Sequence, residues 1–491
     1  NLWDTRMQRL VLALLMVCAG WTTSTSTHAD LILEPCRIDA GPAMSTAKAQ
    51  CGTLQVAENP EEPNGNQIDL SIALVPALSV NPAPDPLVML AGGPGQSAIS
   101  SYLANPGIFE EIRQKHPILL VDQRGTGRSN LMTCEATEDD LVADWDLSLV
   151  AEEIRECIAT LPGDPALYTT SIAVNDLDQV RQALDIEQLN LWGGSYGTRV
   201  ALHYLRRYPE STRTVIVDGV APPEELLGPM LAIDAQASLQ ALNERCRRTP
   251  ECFEQFGDVQ AMVETLQARF DEATIEYTTA HPRTGELTPV PLSSLSLGGV
   301  IRLSIYAPAT RAILPLMLSQ AVAEDYRLLA SQALLIQDAF DGEMAGGMHN
   351  SVVCAEDMPF FKEADRPDGI DDTFMRASSL DLLLAICAEW PQGPMDADFH
   401  DPLVSDKPIL VLSGEFDPVT PPSNGEQLLA SLSNAKHIVA PEQGHIISGL
   451  GCMPKLIAQF VTEADPAGID ATCVDKLGGM PFFVSPLGPT P

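Results

Sequence analysis

Leu189-Asn190-Leu191-Trp192 runs directly into Gly193-Gly194-Ser195-Tyr196-Gly197, and from Thr198 onward apolar residues recur with a helical period. A strand that turns into a helix inside a Gly-x-Ser-x-Gly pentapeptide has few ways to fold. The turn crowds the positions two before and two after Ser195, so both must lack a Cβ, and both are glycine. The serine then stands at a helix N-terminus, whose dipole favours negative charge developing on its oxygen. That placement makes Ser195 a candidate nucleophile; the plainer alternative is an ordinary serine in a glycine-rich turn.

A hydroxyl is a weak nucleophile, so a base and an acid that orients it are expected further along, in the order serine, acid, histidine. His203, His281, His349, His400, His437 and His445 follow Ser195. His203 lies on the helix that the serine starts, and His437 falls inside an expected strand. His445 follows Gly444 in the loop after that strand, where a base would hang over the edge of a sheet. The acid should end the preceding strand. Ile409-Leu410-Val411-Leu412 is followed by Ser413-Gly414-Glu415-Phe416-Asp417 and a proline-rich loop, which makes Asp417 the candidate. Asp218 ends an earlier strand and is its rival. Glu415 reads as structural, bonding turn amides.

Stabilising an oxyanion requires N–H donors aimed at it. The backbone N–H of Tyr196, next to the nucleophile, is one candidate. The loop Ala91-Gly92-Gly93-Pro94-Gly95 after another apolar strand offers a second at Gly93. Asp122-Gln123-Arg124-Gly125-Thr126-Gly127-Arg128-Ser129 resembles a phosphate loop but lacks its spacing and its lysine. It reads as a charged turn bracing the same edge.

Short apolar runs without alternation, at 53–57, 68–75, 87–90, 118–121, 189–192 and 214–217, read as strands covered on both faces. Helical patterns at 173–184, capped by Asn175 or Ser171, and at 198–207 alternate with them. That alternation implies an α/β chain with a mostly parallel sheet and helices on both sides. After Pro222 and Pro223 the pattern becomes mainly helical, at 230–247, 259–270, 309–323 and 373–388, with a loop at 342–349. Strands return at 409–412 and 437–439, with helices near 426–432 and 455–461. The division expected is a core over 30–221, an inserted helical cap over 222–402, and the rest of the core over 403–491 with a loose tail from 483.

Acidic residues number 66 against 29 Lys and Arg, a net charge of −37, which disfavours nucleic acid or an anionic membrane as partner. Residues 1–29 read as a signal peptide: Arg6 and Arg9 lead an apolar run too short to span a bilayer, and Thr27-His28-Ala29 offers a cleavage site. No later run is apolar and long enough for a transmembrane helix, so no membrane insertion of the mature chain is expected. The chain has 11 cysteines, and those beyond Cys18 fall into close pairs: Cys36/Cys51, Cys134/Cys157, Cys246/Cys252, Cys354/Cys387 and Cys452/Cys473. An exported chain with that pattern points to local disulfides and a periplasmic or extracellular compartment.

Taken together, Gly92-Gly93-Pro94-Gly95, the Asp122–Ser129 run, Gly193-Gly194-Ser195-Tyr196-Gly197, Gly414-Glu415-Phe416-Asp417-Pro418-Val419-Thr420-Pro421 and Gly444-His445 resemble the secreted α/β-hydrolases of the prolyl aminopeptidase and tripeptidyl aminopeptidase group. The resemblance runs over roughly 36–473. It departs at Ala91, where many prolyl aminopeptidases have histidine, and at Ile446, where the group has glycine. It implies an α/β-hydrolase fold, a serine exopeptidase acting on peptides with a free N-terminus, and no metal or organic cofactor. A carboxylate must then hold the substrate's α-amino group. Cys354-Ala355-Glu356-Asp357 resembles the group's acidic cap motif, so Glu356 and Asp357 are the candidates, with Glu224 and Glu225 as rivals. A carboxylesterase with the same triad, or an idle binding protein of the same fold, are the alternatives.

Overall fold

The computed structural model describes residues 31–39, 45–133, 147–340 and 344–489. The expected signal peptide and Cys134 lie outside the described residues.

The chain opens with β1 (Glu34–Asp39), β2 (Thr46–Ala57) and β3 (Gln67–Val75), then β4 (Leu87–Leu90), α1 (Ala98–Ala104) and β5 (Ile118–Val121). Next come α2 (Leu147–Thr160), α3 (Thr170–Ala183), β6 (Leu189–Gly194), α4 (Tyr196–Arg207) and β7 (Thr212–Asp218). The segment beyond β7 holds α5 (Leu231–Arg248), α6 (Pro250–Phe256), α7 (Val259–Glu272), and a hairpin of β8 (Ile275–Ala280) and β9 (Leu287–Leu292). It continues with α8 (Ser294–Ile305), α9 (Pro308–Val322), α10 (Arg327–Phe340), α11 (Gly346–Glu356) and α12 (Ser378–Glu389). The main sheet resumes with β10 (Ile409–Gly414), α13 (Pro422–Leu429), β11 (Ala435–Ala440) and α14 (Met453–Glu463).

Among the described residues nine strands form one sheet, in the order β1-β2-β3-β5-β4-β6-β7-β10-β11. From β5 to β11 neighbouring strands run parallel. β1, β2 and β3 add an antiparallel edge. The parallel strands other than β11 are largely buried on both faces, and successive residues feed different cores. Val88, Leu119, Leu191 and Val411 pack with α4 residues Val200 and Leu205 on one face. Met89, Leu120, Trp192 and Leu410 pack with Ile457 and Phe460 of α14 on the other. This is why those runs carry no polar alternation. The segment between β7 and β10 has a core of its own, including Leu239, Val263, Leu266, Val300 and Leu318.

Four of the expected disulfides are present, Cys36–Cys51, Cys246–Cys252, Cys354–Cys387 and Cys452–Cys473. Cys157 is also disulfide-bonded. Among the described residues no helix is long and apolar enough to cross a membrane.

Some local expectations need correction. Helix α3 starts at Thr170 with Thr169 as N-cap, not at the later caps Ser171 or Asn175. The Glu356 side chain, distant in sequence, accepts the Thr170 N–H and does a cap's work from outside the segment. Residues 346–349 form the first turn of α11 rather than a loop. There Gly347 allows close packing: a methyl group on it would stand 2.9 Å from the Met132 carbonyl oxygen. The segment from 483 is tied back, since Phe483 N–H donates to the Ala312 carbonyl at 3.1 Å and Phe482 is buried.

Candidate active site

Strand β6 ends at Gly194 and α4 begins at Tyr196, so Ser195 alone makes the turn, with φ of 55° and ψ of −126°. A residue with a side chain pays about 1–3 kcal/mol to hold such a conformation, and tight surroundings enforce it here. A methyl group on Gly193 would stand 2.2 Å from the Gly197 carbonyl oxygen, and one on Gly197 would stand 2.1 Å from the Leu90 carbonyl oxygen. Gly193 is therefore a steric necessity of the turn itself, and Gly197 of its close packing on the end of β4.

Asp417 follows β10 and is 3% exposed. Its Oδ2 accepts from His445 Nδ1 at 2.7 Å. The same oxygen accepts from Thr420 Oγ1 at 2.8 Å, while Oδ1 accepts the Val419 and Thr420 N–H groups, both at 3.0 Å. With Nδ1 occupied, Nε2 is the ring nitrogen left to take a proton. Burial opposes charging of the ring. The Asp417 charge, their hydrogen bond and the Asp218 charge outweigh it and hold the His445 pKa above its ordinary value. Tyr306, just after α8, packs edge-on against His445 with ring centroids 5.2 Å apart, and its carbonyl accepts the His445 N–H at 2.9 Å. Among the described residues no hydrogen bond joins Ser195 Oγ to His445.

Asp218 has a different place from Asp417. It is fully buried and receives Ile447 N–H at 2.9 Å, Ser448 N–H at 2.7 Å and the Ser448 hydroxyl at 2.5 Å. Its own carbonyl accepts the Ser195 N–H at 2.9 Å. One residue thus joins the serine turn to the loop carrying His445. Burial raises the Asp218 pKa to about 6 despite those donors. His203 bonds Asp396 at 2.8 Å and His437 bonds Ser413 at 2.9 Å, each away from Asp417. Glu415 accepts the Glu442 N–H at 2.8 Å, as a turn brace would.

The Gly92–Gly95 loop lies against the serine turn: a methyl group on Gly92 would stand 3.1 Å from Ser195 Cβ. Gly93 has φ of +105°, which a side chain would resist, and Tyr196 opens α4 with its N–H at the helix N-terminus. The Asp122–Ser129 turn sits beneath this loop. Asp122 accepts from Ser97 Oγ at 2.7 Å and from Ile99 N–H at 3.1 Å. Arg124, buried, is held by Asp176 in two bonds of 2.7 and 2.9 Å.

Glu356 and Asp357 do not stand free for a substrate amine. Both are 0% exposed. Glu356 accepts from Thr170 N–H at 2.5 Å and Thr170 Oγ1 at 2.9 Å, and Thr170 Oγ1 also meets the Tyr196 hydroxyl at 2.7 Å. Asp357 pairs with buried Arg199 at 2.8 Å and accepts the Leu227 N–H at 2.9 Å. This acid pair fastens α11 to the nucleophile helix, and its partners come from segments far apart in sequence. Among the rivals, Glu224 Oε2 is enclosed without a donor among the described residues, and Glu225 Oε2 accepts from Asn424 at 2.8 Å. Asp234 of α5 was missed by sequence reasoning. Burial and the nearby Asp417 charge raise its pKa to about 7. Thr420 was legible only as part of the proline-rich loop.

Residues 85–247 match the alpha/beta hydrolase fold family and residues 373–473 match the TAP-like protein family. The chain has the α/β-hydrolase fold, and its C-terminal part is TAP-like. The serine protease Hip1 of Mycobacterium tuberculosis is 24% identical over 89% of this chain and 90% of its own length. A tripeptidyl aminopeptidase of Streptomyces coelicolor is 23% identical over 86% of this chain and 83% of its own. The putative hydrolase YuaR of Escherichia coli is 29% identical, but that match spans only 38% of this chain and 39% of YuaR.

Proposed function

We propose that this TAP-like hydrolase is an exported serine peptidase that removes residues from the free N-terminus of peptides, with Ser195 as nucleophile, His445 as base and Asp417 as orienting acid. The observation that carries the reading is the 2.7 Å bond between His445 Nδ1 and Asp417 Oδ2, in a fold that exposes Ser195 on a strained turn. The Hip1 and tripeptidyl aminopeptidase relatives support peptides as the substrate class. The disulfides support an oxidising compartment outside the cytosol.

In the mechanism His445 Nε2 takes the Ser195 proton as Oγ attacks the scissile carbonyl carbon. The carbonyl oxygen becomes an oxyanion held by the N–H groups of Gly93 and Tyr196. His445 then gives its proton to the departing amine, leaving an acyl-serine. Water attacks the acyl carbon while His445 takes the water's proton, and the acid is released as Ser195 regains its own. Asp417 stabilises the imidazolium in both halves.

The helical segment over 222–402 acts in this reading as a cap that selects the acyl part. Glu356 and Asp357 are spent on Thr170 and Arg199. The anchor for the substrate ammonium is then assigned to Asp234, whose carboxyl senses the Asp417 charge, with Glu225 as its neighbour.

The test is a peptide anilide with a free amine beside the same compound acetylated. Cleavage restricted to the free amine supports an aminopeptidase. Equal cleavage of both, or of simple esters alone, removes that reading and leaves a general serine esterase.

A further inference from the structure

Among the described residues, twelve arginines of this acidic chain pair with a carboxylate. Arg302 of α8 does not. Among the described residues no carboxylate lies within ion-pair distance of it, and its Nε is enclosed without an acceptor. Its bond from Nη2 goes to the Tyr306 hydroxyl at 2.7 Å, and its guanidinium carbon lies 5.4 Å from the Tyr306 ring centre. That ring packs on His445. The positive charge of Arg302 is felt both at His445 and at His349.

His349, on the first turn of α11, repeats the pattern from the other side. Its ring is turned to the carbonyl of Pro94 in the oxyanion loop, and its Nδ1 is enclosed without a partner among the described residues. An enclosed polar atom without a partner is destabilising, so one on each of two side chains near the site calls for an explanation. With its N–H turned to Pro94, the neutral imidazole of His349 has only a lone pair at Nδ1, so the anion-binding group here is Arg302, whose guanidinium suits the planar, two-oxygen geometry of a carboxylate.

The position of Arg302 says which part of a substrate it meets. His445 delivers its proton to the departing amine, so a group packed beside His445 faces the leaving side of the scissile bond. We propose that Arg302 forms a subsite for a carboxylate carried by the leaving group, either the C-terminus of a short peptide or an acidic side chain next to the cut. The proposal rests on the assignment of Ser195 and His445 above. It makes short peptides with a free C-terminus the preferred substrates.

The experiment compares kcat/KM for a short alanine-rich peptide and its C-terminal amide. A second pair of amidated peptides carries glutamate or glutamine just after the cut. Wild type is expected to favour at least one carboxylate form about tenfold or more, as charge-assisted hydrogen bonds allow. The arm that responds identifies the carboxylate's source. Arg302→Met should bring the ratio close to one, and Arg302→Lys should keep part of it. Because each variant is its own reference, a general loss of activity does not imitate this result.

Ratios near one in both arms for wild type overturn the subsite. So does a ratio that survives in Arg302→Met. If no peptide is cut, inhibition of uncharged acetate-ester hydrolysis by the same pairs is read instead. Stronger inhibition by the carboxylate forms upholds the subsite although the peptidase reading has failed, and equal inhibition overturns it. Ser195→Ala run alongside separates the two ideas: turnover surviving there removes the nucleophile while the ratio still reports on Arg302.

Discussion

The buried carboxylate of Asp218 accepts the N–H of Ser448 at 2.7 Å, three residues beyond His445. Its main-chain oxygen accepts the N–H of Ser195. The end of β7 is therefore a common mount for the serine turn and the histidine loop. Ile446 between His445 and this mount has φ of +66°, a conformation a β-branched residue adopts only when its surroundings impose it.

Asp218→Asn tests the mount. An amide has one acceptor oxygen, so its NH₂ would oppose one of the loop N–H groups. A cost of about 1–3 kcal/mol is expected from the mismatch. Activity should fall on the order of 10–100-fold as the histidine loop drifts from the serine. Denaturant unfolding and kcat together check it; full activity with full stability would rule the mount out.

Ser195→Ala and His445→Ala should each lower kcat on the order of 10⁶-fold, while far-UV circular dichroism stays unchanged. Asp417→Asn should cost on the order of 10⁴-fold, because the His445 tautomer and its cation both lose support. Turnover in the Ser195 variant within tenfold of wild type would assign the chemistry elsewhere.

The base works only when His445 is neutral. Its pKa is raised, so kcat/KM should climb with pH through a midpoint above the ordinary histidine value. Removing the Asp417 charge removes a cause of that rise. The residual activity of Asp417→Asn should therefore climb at lower pH than wild type. A pH profile on an ester substrate measures both limbs, and coincident midpoints would show that Asp417 does not govern the base.

Glu225, Glu356 and Asp357 surround one cation, Arg199. Burial, with Asp357 nearby, raises the Glu356 pKa from 4.5 to about 8 although Arg199 and Thr170 oppose it. The folded protein then keeps a proton that the unfolded chain releases above pH 4.5. Stability from this group is full at low pH and is lost as pH rises from there through about 8. Glu356→Gln should flatten the fall in Tm between pH 5 and 9. An unchanged slope would place the retained proton on another group.

The Cys354–Cys387 disulfide spans 33 residues and links α11 to α12. Replacing both cysteines by serine should cost about 3–4 kcal/mol by the loop-closure relation. Equal unfolding midpoints for the variant and wild type, both kept oxidised, would show that packing alone holds the two helices.

Much of the core could be read from the chain itself. The unbroken apolar runs that became β4, β5 and β6 are short, bounded by turn residues and buried on both faces, so pattern and burial agree. β1 was not legible: Glu34–Asp39 is polar and mostly exposed, and it is a strand because β2 pairs with it. α8, α10 and α11 were missed as well. In α8 and α11 the apolar residues face several neighbours at once, which erases a one-sided stripe, whereas α10 keeps such a stripe and was overlooked.

The sequence by itself determined the serine turn and pointed to the partners proposed for it. Gly193 is a steric requirement that acts within five residues, and the order of strand ends makes His445 the candidate base and Asp417 the candidate acid, with Asp218 as its rival. Only the tertiary structure decided the use of the other carboxylates. Whether an acid is a mount, a clamp or a free charge depends on which donors and how much water surround it. Those neighbours come from elsewhere in the chain: Ser448 for Asp218, Arg199 for Asp357, Thr170 for Glu356. The same holds for Arg302, whose lack of an acid partner among the described residues is a property of packing that no spacing in the sequence encodes.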